Sequence, residues 1–202
     1  MRMRSTAGVV AALALLSGCS SPAPARSTQS PPLQVQTVVS GLDHPWDLGF
    51  LPDDAVLVTE RSGRLQLVRI GTTTQVQADF SDVFAMGESG LMSLLVHPDF
   101  ATSREFSTCQ SHTENGKPVD IRVKTWRLSP DESSAVAVKD PLLAGLPLNS
   151  SGRHSGCRLA LGPAGELLIT TGDTANPTVS QDLSSLGGKT LHADLASGKP
   201  LS

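Results

Sequence analysis

The sequence contains no tyrosine, and its aromatic residues are five phenylalanines and two tryptophans. Clefts that grip sugars or bases on aromatic platforms have little to draw on here. Trp46 and Trp126 are the only large candidates, and both read as packing residues. Basic residues are not in excess. Lys and Arg number 16 against 19 Asp and Glu, for a net charge of −3, and no basic stripe forms. Nucleic acid and anionic lipid surfaces are therefore poor candidates as partners. No apolar run reaches the ~20 residues a bilayer-spanning helix needs. Beyond the first residues, helical periodicity never persists past two turns, which excludes a helical bundle. No two of His44, His97, His112 and His192 have metal-site spacing, and they read as turn or surface residues. Asp43, Asp47, Asp53 and Asp54 lack the alternating oxygen pattern of a calcium loop. The residues alone give no metal site.

What is present begins with an export signal. Arg2 and Arg4 precede an apolar run from Ala7 to Leu16, and Leu16-Ser17-Gly18-Cys19 follows. A basic start, a short apolar stretch and small residues at the cleavage site make a secretory signal peptide over residues 1–18. The ending resembles a bacterial lipobox. Cys19 is the acyl acceptor in that reading, since the chemistry needs a thiolate. The expected location is the outer face of the plasma membrane or the cell envelope, reached through a lipid anchor. Residues 19–34 are Ser/Pro-rich with little to bury and read as a tether. Two cysteines remain, Cys109 and Cys157. In an oxidising compartment they form a disulfide or stay as two buried thiols, and the sequence leaves both open.

From Val35 the texture changes to short apolar runs broken by Gly, Pro and Asp. Strands are predicted at Val56–Thr59, Leu65–Ile70, Arg122–Leu128, Leu167–Thr171 and Thr190–Leu195, with a turn at Arg61–Arg64. In the third, Val123, Thr125 and Arg127 alternate against Lys124, Trp126 and Leu128. The class is all-β. A repeat runs through it: an apolar strand, an x-Pro turn at Pro52, Pro98 or Pro163, then a second strand. That recurrence suggests propeller blades over a β-sandwich. About three blades fit residues 35–202, fewer than a closed ring uses. The expectation is a partial propeller, from a truncated chain or from two copies assembling as a homodimer.

Four stretches carry a family resemblance. They are GLDHPWDLGFLPDDAVLVTERSGRL at Gly41–Leu65, GESGLMSLLVHPDF at Gly87–Phe100, GRHSGCRLALGPAGELLITTGD at Gly152–Asp173, and LSSLGGKTLHADLASGKP at Leu183–Pro200. Together they resemble the N-terminal half of the glucose/sorbosone dehydrogenase family, in a mycobacterial-type lipoprotein branch. The resemblance implies a six-bladed propeller that oxidises a sugar C1 hydroxyl to a lactone. Pyrroloquinoline quinone and calcium are the implied cofactors. A sugar and an electron acceptor are the implied partners. It implies, too, that later blades supply several arginine, asparagine and lysine contacts to the quinone and the calcium ligands.

On that resemblance, His154 matches the catalytic base and Asp173 the carboxylate that orients it. A His near neutral pKa suits hydroxyl deprotonation, and a carboxylate fixes its tautomer. Glu88 stands where the family commonly carries Gln near quinone and sugar. Arg158 matches a common family Arg, with ion pairing inside a blade as its plainer role. An ionised Glu88 would repel a cofactor bearing three carboxylates. The alternative function is a non-catalytic envelope scaffold built on the same framework.

Overall fold

The computed structural model describes residues 32–201. The signal peptide, Cys19 and the tether up to residue 31 lie outside the described residues. Residues 32–44 carry no regular structure before the first strand.

Three antiparallel sheets follow one another along the chain. The first contains β1 (Pro45–Phe50), β2 (Val56–Glu60), β3 (Arg64–Arg69) and β4 (Thr72–Val76), paired in sequence order. The second contains β5 (Leu91–Val96), β6 (Glu105–Glu114), β7 (Lys117–Leu128) and β8 (Ala135–Leu146), again in order. The third is three-stranded, with β9 (Gly156–Leu161), β10 (Leu167–Thr171) and β11 (Thr190–Ala193). A four-residue helix, α1 (Phe100–Ser103), interrupts only the β5–β6 connection. Each sheet meets the next through its first strand, β1 against β5 and β5 against β9. These are the blades of a partial propeller, as the repeat predicts. Pro52, Pro98 and Pro163 each stand two residues past the end of a blade's first strand.

Two apolar clusters hold the blades together. Leu57, Leu65 and Val76 of the first blade pack with Leu94, Phe106 and Trp126 of the second. Met92, Ile121 and Val123 of the second pack with Leu159, Leu167 and Ile169 of the third. The middle blade is thus buried on both faces. This corrects the alternation read in Arg122–Leu128, because Val123, Lys124, Thr125 and Trp126 are all buried. The Trp126 indole is satisfied by donating to Thr108 Oγ1 at 2.8 Å. The Lys124 ammonium donates to Asp82 Oδ2 at 2.5 Å and to Asp140 Oδ2 at 2.9 Å. Burying an ammonium demands such partners.

Other expectations are corrected as well. His97 and His112 are buried, not surface residues. The His97 ring meets Ser107 Oγ at 2.9 Å, because β6 folds back over the turn that carries it. His112 lies inside β6, with Nδ1 2.9 Å from Asp82 Oδ2. Trp46 sits on the open face of the first blade, 39 % exposed, while Trp126 packs between blades. The strand predicted to Leu195 ends at Ala193, where a turn closed by the Asp194 carboxylate begins. Strand β8 lies outside the strands predicted from sequence. It carries Pro141 and Gly145 and lies at the outer edge of its sheet, where a missing N–H is tolerated.

Candidate functional site

A polar loop leads into the first strand of each blade. The loop before β5 (87–90) and the loop before β9 (151–155) lie directly against one another. The Glu88 amide donates to Gly152 O at 2.9 Å. A Cβ on Gly152 would stand 1.9 Å from Met86 O, so only glycine allows the approach. Below them, the buried hydroxyls of Ser89 and Ser155 meet at 2.5 Å. Cys109 of β6 and Cys157 of β9 form a disulfide, with Cα atoms 6.2 Å apart. The seam between second and third blades is therefore held by backbone, hydroxyl and covalent contacts within a few residues of His154.

His154 adopts a left-handed backbone, φ 49°. Residues that carry a Cβ are strained there, and such strain persists only where surroundings impose it. Three contacts impose it. Its amide donates to Glu88 Oε2 at 2.8 Å. Its carbonyl accepts the Thr174 amide at 3.2 Å. Its ring Nδ1 is 2.7 Å from Asp173 Oδ1. Asp173 stands just past the end of β10, so strand, turn and returning strand bring it to the same rim as His154.

Electrostatics fix the proton's place. The His154 hydrogen bond, with a smaller contribution from the Ala175 amide at 2.9 Å, holds the Asp173 carboxyl below its ordinary value. An ionised carboxylate only accepts, so Nδ1 carries the hydrogen. The neutral ring then presents a bare lone pair at Nε2. The side chain is 44 % exposed, and among the described residues Nε2 has no protein partner within hydrogen-bond distance. This is the arrangement of a general base held in one tautomer.

The other expected contacts are placed differently. Glu88 is beside His154 but engages its backbone. Arg158 points its Nη1 at Asp47 Oδ1, 2.6 Å away. Asp47 is buried on β1 and also accepts from Ser93 Oγ at 2.7 Å and the Leu94 amide at 3.0 Å. One carboxylate thus ties all three blades together, and Arg158 is its counter-ion. Asn149, which opens an Asn-Ser-Ser sequon, has a structural role here. Its Nδ2 donates to Thr174 O at 2.7 Å and its Oδ1 accepts the Ser151 amide at 2.8 Å. It ties both loops around the base. The Asn-x-Ser spacing of an Asx turn was the available signal. Among the described residues, no group of three or more His, Cys, Asp or Glu side chains could hold a metal ion.

Three linked antiparallel sheets define part of a β-propeller, with the His154–Asp173 pair in the loops at one end of its third sheet. Residues 42–201 match the Glucose / Sorbosone dehydrogenase family, and the chain belongs to it. It is 34 % identical over 159 residues to the aldose sugar dehydrogenase YliI of Escherichia coli, covering 78 % of this chain and 43 % of that protein. An oxidoreductase of Thermus thermophilus, described as a glucose dehydrogenase, superposes with a TM-score of 0.75 at 37 % identity. That match covers 84 % of this chain and 49 % of the other. The aldose sugar dehydrogenase of Streptomyces coelicolor, solved in its pyrroloquinoline quinone-bound form, gives 0.72 at 26 % identity, covering 85 % and 55 %. The chain spans about half the length of these relatives.

Proposed function

We propose that this chain supplies the base half of a site that oxidises a sugar C1 hydroxyl to a lactone. The observation that carries the reading is the His154–Asp173 pair, with Nδ1 held at 2.7 Å in a side chain that is 44 % exposed. His154 Nε2 removes the hydroxyl proton, and Asp173 stabilises the imidazolium that results. Pyrroloquinoline quinone, when bound, is the acceptor of the hydride that leaves C1. The described residues fit the base and not the cradle. Glu88 and Arg158 are engaged by protein groups, and no metal-binding cluster is present among the described residues. On the family resemblance, calcium and several quinone contacts would come from further blades, in a longer chain or in a second copy. The relatives' redox chemistry, and the transfer of electrons to a further acceptor, come to this chain through that completed ring.

The export signal adds a second element. We read Cys19 as the lipidated residue that anchors the protein to the membrane on the envelope side. Intact-mass analysis of protein from membranes should show acylation lost in Cys19→Ala.

Calorimetric titration of the purified chain with pyrroloquinoline quinone and calcium tests the main reading, with His154→Ala as control. Binding that weakens at least several-fold in the variant supports a real half-site. No binding favours a non-catalytic envelope scaffold, a reading already encouraged by the protein-bound states of Glu88 and Arg158.

A further inference from the structure

Glu88 has two features a cofactor contact would not need. It sits in a loop zipped backbone-to-backbone onto the His154 loop, and one carboxylate oxygen is already an acceptor for the His154 amide. That amide belongs to a left-handed residue ahead of β9, so no strand ladder serves it. Its neighbours show the same need for close fit. A Cβ on Gly172 would lie 1.7 Å from the His154 carbonyl. Arg61 reaches across from the first blade to donate to Gly87 O, steadying the Glu88 loop from its other side.

We infer that Glu88 is a positioning residue, whose carboxylate locks the strained His154 backbone and so aims Nε2. It acts through His154 and does not contact the reacting atoms. His154 is then fixed at three points: amide by Glu88, ring by Asp173, carbonyl by Thr174. Removing one would let the residue relax toward an ordinary φ and swing the ring. A charge-assisted hydrogen bond is among the stronger polar contacts, so the effect should be measurable. Glutamine keeps an acceptor oxygen at the same reach, and alanine keeps none. The backbone bond from residue 88 to Gly152 survives either change, so the loop pairing persists.

This inference rests on reading His154 as the base, but its first test does not. Hydrogen exchange and amide NMR are recorded on the full chain as wild type, Glu88→Gln and Glu88→Ala. The His154 amide should exchange about tenfold faster in Glu88→Ala and within about threefold of wild type in Glu88→Gln. The Leu159 and Thr171 amides, which donate to Ser93 Oγ and Lys189 O, serve as fold controls. An unchanged His154 amide in Glu88→Ala overturns the proposal. Where an assembled, quinone-loaded form turns over sugar, Glu88→Ala should lower kcat about tenfold at nearly constant KM, with rescue by Glu88→Gln. Equal loss of quinone affinity in both variants, with kcat intact, would instead make Glu88 a cofactor contact and overturn it. A responsive His154 amide with a silent His154→Ala titration keeps the positioning role and removes the base reading.

Discussion

The corner at His44 and the corner at His154 share one backbone frame. Both histidines have φ 49°. Each carbonyl accepts the amide of a residue just past the blade's second strand, Arg61 at 3.1 Å and Thr174 at 3.2 Å. Each ring turns Nδ1 to a carboxylate, Asp43 at 2.5 Å and Asp173 at 2.7 Å. The middle blade lacks this corner: Gly90, directly before β5, has φ 156°, and a Cβ there would stand 2.2 Å from Arg61 O. What differs is the origin of the carboxylate. Asp43 is His44's sequence neighbour and is shared with Arg64 at 2.7 Å on an exposed surface. Asp173 arrives from across the blade and is backed by its own loop amide. A repeat can supply the corner, but only a carboxylate brought in from elsewhere can orient the ring independently of the corner itself.

Breaking the covalent seam should separate the two corners most. The double variant Cys109→Ser/Cys157→Ser is expected to lose about 2–4 kcal/mol of unfolding free energy in urea. His154 ring signals should broaden while those of His44 stay sharp; equal broadening would mean the corners are not held separately. Ser155→Ala comes next. It strands the buried Ser89 hydroxyl, at a cost of about 1–2 kcal/mol by the same assay. Smallest is Asp43→Ala, an exposed ion-pair change that should leave the melting temperature and the His154 signals where they are. Acidification sharpens the comparison. Asp43 is lowered chiefly by His44 and then Arg64, and Asp173 by His154 and then the Ala175 amide. The stabilisation from each is complete above the unfolded carboxyl pKa of about 3.9 and is lost as pH falls through the lower folded value. Carboxyl carbon shifts followed by NMR should therefore move for both only below about pH 4.

The sequence made the blade rhythm visible because turn chemistry is local. Pro52, Pro98 and Pro163 mark three equivalent turns, and β2, β3 and β10 are short apolar runs between breakers. Strands β4 and β8 were hidden because edge strands need no apolar alternation. Their polar and proline residues face water or lie beyond the ladder. The depth of Lys124, His97 and His112 was hidden for the opposite reason, since burial on both faces comes from neighbouring blades that no local pattern encodes. His154 and Asp173 were legible through the family motif, and their 2.7 Å meeting follows from one strand–turn–strand excursion. Asp47 joining three blades, and Glu88 turning to a backbone amide, depend on loops far apart in sequence.

Strand β8 has a consequence for how copies of the chain meet one another. Its outer side is the rim a stray strand would dock against to begin a cross-chain ladder. Pro141 removes one amide at mid-strand inside an irregular stretch of the ladder, and Lys139 turns its ammonium to Ala196 O. The short β4 and β11 rims of the other blades offer only five and four residues. Fibril-like stacking of one copy on another thus finds no long, uniform edge to copy.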